Sequence, residues 1–275
     1  MSLPSPHLTE QPALFPSQSR NHRFPAARAI SALILREMAT RYGNSPGGYI
    51  WAILDPLGAI IMLSFGFSLL LRSPALGSSF LLFFTAAYLP LHMYQATSGV
   101  VSSAINFSRP LLKFPSVSWI DALLARYILN TLTVLLVSYL ILTGVLISLD
   151  TRTSLEFGPI VRAMGLATIL GFGIGSLNCV LAGLFPVWGH IWGILTRPLF
   201  IASGIFYIYE NLSQTAQGIL WYNPLIHLTG LMRSGVYSTY NPTYINELYV
   251  LGFGLITSFL GLILMRRYHR DILNQ

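Results

Sequence analysis

Two ionised side chains stand where the chain is otherwise hydrocarbon: Asp55 in "WAILDPLG" and Arg197 in "ILTRPLF". Insertion scales assign roughly 2.5–3.5 kcal/mol to such a group at the centre of a membrane helix, so it faces protein or water and finds a partner. Two chemistries fit. Either Asp55 and Arg197 neutralise each other as a structural pair, or they line a polar path in which the Arg197 guanidinium meets a phosphate or carboxylate. A second cluster lies in "SGIFYIYENLSQTAQGILWYNPLIHL", residues 203–228. Here Phe206, Tyr207, Tyr209, Trp221 and Tyr222 flank a polar centre that carries the acid Glu210. Such residues combine an apolar ring face with hydroxyl and indole groups that hydrogen-bond. The same residue types form the amphipathic belt at a membrane surface. Tyr207, Tyr209, Trp221 and Tyr222 suit that belt.

Other chemistries are missing. The only lysine is Lys113, and no glycine-rich loop precedes it, so the chain lacks a P-loop to cradle ATP. There is no H-E-x-x-H, and the six histidines show no metal-ligand spacing. "GFGIGSLNCVLAG" around Gly171, Gly173 and Gly175 is only superficially a dinucleotide loop. It follows no strand, and close packing of helices through small residues explains it better. Cys179, the single cysteine, reads as a small buried hydrophobe.

The elements that must position Asp55 and Arg197 are membrane spans. The chain is 53% hydrophobic and 9% charged, against about 25% charged in soluble domains. Runs of 18 or more apolar residues are long enough to cross a bilayer as helices. Six spans are predicted, at about 51–71, 80–103, 122–147, 163–184, 189–209 and 247–265, the fourth and fifth separated at "FPVWGH" by Pro186 and Gly189. The fold class is therefore all-α, a polytopic membrane protein whose transmembrane domain covers residues 49–275. With both termini inside, ten Lys and Arg residues fall on cytoplasmic segments and four on external loops, the expected positive-inside bias. That bias accounts for the net charge of +7 without a nucleic-acid partner.

Residues 1–25, rich in Pro and Ser, read as a flexible tail without the apolar core of a signal peptide. In residues 26–48, "RAISALILREMATRYG" sets Ile30, Leu33, Ile34 and Met38 at helical spacing, with Arg28, Ser31, Glu37 and Arg41 mostly on the other side. A helix this short and charged is expected to lie in the membrane interface. Between the second and third spans, "INFSRPLLKFPSVSWID" carries two prolines that would end a helix extending from the second span.

These residues resemble a known family, the membrane subunits of polysaccharide-exporting ABC transporters. "LILREMATRYGNSPGGYIWAILDPLG" is similar to that family's passage from interface helix into first span. "SRPLLKFPSVSWIDALLAR" looks like its cytoplasmic gate and coupling region. "RPLFIASGIFYIYENL" and "LWYNPLIHLTGLMRSG" look like its fifth span and external re-entrant segment. The similarity runs in order from about residue 30 to the C-terminus and looks closest to the branch that exports capsular polysaccharide.

The resemblance implies a homodimeric channel in the bacterial inner membrane, driven by two copies of a separate cytoplasmic ABC ATPase that holds the ATP and magnesium. This chain would bind no cofactor and catalyse nothing itself. The first and fifth spans would line the path with Trp51, Asp55, Arg197, Phe200, Phe206, Tyr207 and Tyr209. Trp221, Tyr222, Asn223 and Pro224 would form an external gate dipping into the outer leaflet. Arg36, Glu37, Arg41, Arg109 and Lys113 would take up ATPase motion. Capsular polysaccharide, carried on a lipid end, would be the cargo, passed to periplasmic and outer-membrane components. O-antigen, teichoic acid or another lipid-linked polymer is the alternative cargo. An ion-coupled secondary transporter is the alternative class, against which stand the absence of an inverted repeat and of intramembrane acids beyond Asp55.

Overall fold

The computed structural model describes residues 25–41, 48, 50–112, 117–149 and 154–274. The described residues form helices and turns with no strand: α1 Pro25–Arg41, α2 Ile50–Leu70, α3 Phe80–Ser102, α4 Ala104–Ser108, α5 Trp119–Ser148, α6 Phe157–Leu184, α7 Trp188–Ile201, α8 Gln214–Leu220, α9 Pro224–Val236 and α10 Glu247–Asn274. Four of them, α2, α5, α6 and α10, are long and apolar enough to cross a membrane. The predicted tail lies outside the described residues apart from Pro25.

α3 has the length of a span at 23 residues but is more polar, with Thr85, His92, Gln95, Thr97 and Ser98 along it. It tolerates them because it sits inside the bundle, with 14 of its 23 residues buried. Lipid supplies no hydrophobic drive for helix association, so the packing relies on close approach of small residues. On α6, Gly171 and Gly175 share one face and meet α3: a Cβ at Gly171 would lie 2.9 Å from the Tyr94 carbonyl, and one at Gly175 2.9 Å from that of Ser98. Gly173 points the other way, where a Cβ would lie 2.6 Å from the Gly254 carbonyl of α10. The glycine run is thus a two-sided seam that joins α6 to α3 and α10.

The fifth predicted span is shorter as a helix than the sequence suggested. α7 stops at Ile201 and its 14 residues rise only about 21 Å, against a hydrocarbon core of about 30 Å. Gly204, at φ +78, supplies the left-handed turn that ends it, and a side chain there would press on Ile226 and Thr229 of α9. Pro186 falls in the break between α6 and α7 as expected, whereas Gly189 lies within α7.

α9 is the surprise of the second half. Asn223 caps it by accepting from the Leu225 N–H at 3.1 Å, and Pro224 occupies its first turn, where a missing N–H costs nothing. Eleven of its 13 residues are buried, against α3 and α6. A short helix of mixed polarity therefore forms part of the core rather than an exposed loop.

α1 packs on α5, but with a different face from the one expected. Glu37 lies with Ile30, Leu33 and Ile34, at positions i, i+3, i+4 and i+7, and is buried, whereas Met38 is 43% exposed. The carboxylate belongs to the packed stripe because α5 presents a cation to it, Arg126. α5 itself begins with a capping box: the Ser118 N–H donates to Asp121 Oδ2 at 3.1 Å and the Ile120 N–H to Ser118 Oγ at 3.4 Å.

Candidate functional site

Asp55 and Arg197 do not meet. Among the described residues they form no ion pair with each other, and each borders its own cavity. Asp55 and Trp51, on the first turns of α2, line a space of about 480 Å³ between α2, α3 and α5, together with Tyr88, His92, Gln95 and Asn130. Arg197 and Phe200 of α7 line a second, of about 630 Å³, against Tyr94, Gln95, Ser98 and Ser102 of α3, with Trp192 and Thr196 beside them. Gln95 contributes to both walls. One compartment thus carries a carboxylate and the other a guanidinium, and the structural pair considered from the sequence is not formed.

The two walls differ: about half of the Asp55 cavity's surface is polar, whereas the Arg197 cavity is mostly apolar. Hydroxyls and amides offer both donors and acceptors, and aromatic faces stand among them. The Tyr88 and His92 rings stack, centroids 5.7 Å apart at 15°, and His92 Nδ1 is a buried polar atom without a hydrogen-bond partner. Tyr88, His92, Gln95 and Asn130 were not selected from the sequence. Their only signal was polar residues recurring at 88, 92 and 95 in a predicted span, a helical stripe that the emphasis on charge passed over.

The aromatic stretch after α7 divides between two structures. Phe206 belongs to an aromatic cluster, its ring 5.3 Å from Phe67, 5.8 Å from Phe200 and 6.4 Å from Phe84. Tyr207 is half-buried and offers its carbonyl to Arg233. Tyr209 joins a polar cap instead: it stacks on Tyr244 at 4.0 Å and donates to the Gln217 carbonyl at 3.0 Å. Trp221 stacks on Tyr249 at 5.2 Å and donates to the Tyr244 carbonyl at 3.1 Å. Tyr222 is exposed, with its carbonyl accepting from Tyr249 at 2.7 Å. Asn223 ties α9 to the end of α7 by donating to the Ala202 carbonyl at 2.9 Å.

Two buried residues organise this cap, and sequence reasoning missed both. Arg233, counted only as a loop cation, donates to the carbonyls of Tyr207 at 2.8 Å and Ile205 at 3.1 Å, with its guanidinium carbon 4.2 Å from the centre of the Phe83 ring. His227 Nε2 lies 2.8 Å from the Trp221 carbonyl, while Nδ1 accepts from the Asn246 N–H at 3.2 Å. That pair of partners selects the neutral Nε2–H tautomer. At the rim, Tyr240 donates to Glu210 Oε2 at 3.0 Å. Burial, then the neighbouring Tyr244 and Glu210, push the Tyr240 phenol well above its ordinary range, so it remains a donor at all physiological pH.

At the end of the bundle where α10 finishes, Glu37 pairs with Arg126 at 3.2 Å. Arg109 donates to the Leu273 carbonyl of α10 at 3.0 Å, and Arg36 is exposed on α1. Arg41 closes α1, and Lys113 lies outside the described residues. Of the residues expected to take up ATPase motion, Glu37 and Arg109 thus make contacts with α5 and α10, and Arg36 is exposed on α1.

Comparison with known proteins agrees with this membrane architecture. A family described as "ABC-2 type transporter" matches residues 28–237. The chain is 30% identical over 237 residues to the polysialic acid transport protein KpsM of Escherichia coli, covering 86% of this chain and 92% of that one. It is 26% identical over 246 residues to the capsule polysaccharide export inner-membrane protein BexB of Haemophilus influenzae, covering 89% and 92%. The corresponding protein CtrC of Neisseria meningitidis serogroup A is 24% identical over 245 residues, with 89% and 92% covered.

Proposed function

This chain belongs to the ABC-2 type transporter family, and from that premise we propose that it is the channel-forming permease subunit of an ATP-driven exporter of capsular polysaccharide. The observation that carries the reading is the pair of cavities that share Gln95 in their walls, a polar one bearing Asp55 and a mostly apolar one bearing Arg197, within a bundle of membrane helices. Hydroxyl and amide groups between lipid-facing helices are costly unless they serve a polar passenger or each other. A polymer of hydroxylated rings finds hydrogen-bonding groups beside Asp55 and apolar and aromatic surface beside Arg197, where a negative charge on the polymer meets the guanidinium.

Two copies of the chain form the channel, with α2 and α7 at its lining. Both helices leave much of their surface uncovered within one chain, Leu54, Ile61, Phe65, Ile191, Ile194 and Leu195 among their exposed side chains, as helices do when a second copy completes the wall. Two ABC ATPase subunits dock on the cytoplasmic side and hold the ATP and magnesium. Both termini face the cytoplasm of a bacterium. α3 and the segment from α7 to Ile208 complete the six crossings, and α8–α9 re-enter from the outer leaflet as the external gate. Non-helical backbone at membrane depth persists only when it is buried in protein or lines a wet cavity, and the turn around Gly204 meets that condition through Arg233 and Thr229. The cargo carries a lipid end and is handed to periplasmic and outer-membrane components.

Reconstitution tests this. The chain, co-expressed with an ABC ATPase subunit and placed in proteoliposomes, is expected to move labelled capsular polysaccharide across the bilayer only with ATP and magnesium. Transport driven by an ion gradient without ATP would overturn the reading, as would ATP hydrolysis by the chain alone.

A further inference from the structure

Arg126 stands where three elements converge. From its place one-quarter along α5, its Nε faces Glu37 Oε1 of α1 at 3.2 Å, and the two side chains are 10% and 5% exposed. Its Nη1 donates to the carbonyl of Ser103 at 3.2 Å. Ser103 is the non-helical residue, φ −97 and ψ 5, at which α3 gives way to α4. The guanidinium also lies over the ring of Phe107 in α4, 4.2 Å from its centre. One planar cation therefore touches α1, the joint between α3 and α4, and α4 itself.

A buried ion pair is weak evidence of stability, because removing two charges from water offsets most of their attraction. Its best-attested use is to fix register. On the same face of α1 as Glu37 stand Ile30, Leu33 and Ile34, half-buried aliphatic side chains that by themselves would allow one helix to slide or roll on the other. The pair removes that freedom at one point. The guanidinium suits the task better than an ammonium, because its rigid fork and flat faces fix direction as well as distance.

Both elements keep open surface: Leu35 on α1 is 67% exposed, and the Phe107 ring that lies against the Arg126 guanidinium is still 42% exposed. α1 and α4 thus share an inner anchor while each keeps an exposed side chain.

We propose that Arg126 is a positioning residue for transport: it clamps α1 to the α3–α4 joint, so that a displacement delivered to either element reaches α3 and α5 as one movement. α3 then carries the movement directly to both cavities, since Tyr88, His92 and Gln95 line one, and Tyr94, Gln95 and Ser98 the other. The clamp rests on the reading of the chain as the permease of an ATP-driven exporter, in which ATPase motion arrives at this end of the bundle.

The test uses the complete complex in proteoliposomes and reads polysaccharide moved per ATP hydrolysed, beside the amount of complex assembled. Arg126→Lys keeps a charge for Glu37 but loses the flat contact with Phe107 and the second nitrogen for Ser103. It is expected to assemble and hydrolyse ATP while the ratio falls about tenfold, within the usual range of coupling between sites. Glu37→Arg alone sets two cations together and is expected to lower the ratio at least as far. The exchange Glu37→Arg with Arg126→Glu restores the pair and is expected to recover part of the loss. Phe107→Leu removes only the ring beneath the cation and carries the test if the Arg126 variants fail to assemble, with a lower ratio expected again. An unchanged ratio in the assembled variants, with only their amount reduced, overturns the clamp and leaves Arg126 a folding residue. An exchange no better than the single variants also overturns it. If the unaltered complex moves no polysaccharide with ATP, the functional reading itself fails, which the wild-type measurement shows before any variant is made.

Discussion

The guanidinium of Arg233 donates to the carbonyl of Tyr207 at 2.8 Å across 26 positions of sequence. With the second bond to Ile205, it holds the irregular backbone after α7 against α9, where that backbone has no helical partner of its own. Each buried carbonyl left without its donor costs about 1–3 kcal/mol. Arg233→Met is therefore expected to lower the thermal unfolding midpoint of the detergent-solubilised protein markedly, and Arg233→Lys, which retains a single donor group, less so. An unchanged midpoint for the Met variant would show that the cap is held by something else.

Phe206 packs its ring against those of Phe67, Phe84 and Phe200. Phe206→Ala should cost on the order of 2 kcal/mol in packing and reduce the amount of folded protein. Tyr207→Phe keeps the ring and the backbone carbonyl, and should retain both folding and transport. The measurement is surface polysaccharide normalised to assembled complex. A loss of normalised transport in Phe206→Ala with full stability would assign its ring to the path instead of the cluster.

Because Asp55 and Arg197 border different cavities, Asp55→Asn and Arg197→Gln are expected to act independently. Their effects on normalised transport should add in the double variant within about 0.5 kcal/mol, the usual limit for uncoupled sites. A double variant markedly better than the sum would reveal a charge pair between them in the working complex.

The seam of α6 gives a matched comparison within one helix. A Cβ at Gly173 would fall 2.6 Å from the Gly254 carbonyl, while one at Gly165 meets nothing within 4 Å. Gly173→Ala should destabilise by about 1–3 kcal/mol, the cost of overpacking. Gly165→Ala should be neutral or slightly stabilising, since alanine favours the helix by up to about 1 kcal/mol. Equal unfolding midpoints for the two variants would refute the seam.

Topology has its own check. Cysteines introduced at Gln18 and Asn274 are expected to react only from the cytoplasmic side, and those at Ser78, Ser154 and Gln214 only from outside, in a chain whose Cys179 has been replaced. External labelling of either terminus would invert the orientation and remove the cytoplasmic docking of α1.

Much of this protein was decided by the sequence alone. Long runs without charge leave no alternative to membrane helices, since nothing else satisfies the backbone in lipid. Alternation of small residues through 171–175 already announced close helix contact. These are local or compositional properties, readable because they do not depend on what stands opposite. Partnership does depend on it. Glu37 was sorted to a polar face by its charge, but its burial follows from Arg126, 89 positions away along the chain. Asp55 and Arg197 were matched by sign and depth, yet α3 stands between their cavities with Gln95 facing both. The fifth span was drawn by hydropathy through Ser203 and Gly204, where a left-handed turn ends the helix. Arg233 read as an ordinary loop cation until α9 folded into the core and brought it beneath two carbonyls. A charge in a sequence carries its sign and its neighbours. Only the tertiary structure supplies the group across from it, and in a low-dielectric interior that opposing group decides whether the charge is buried, paired or left open to a passenger.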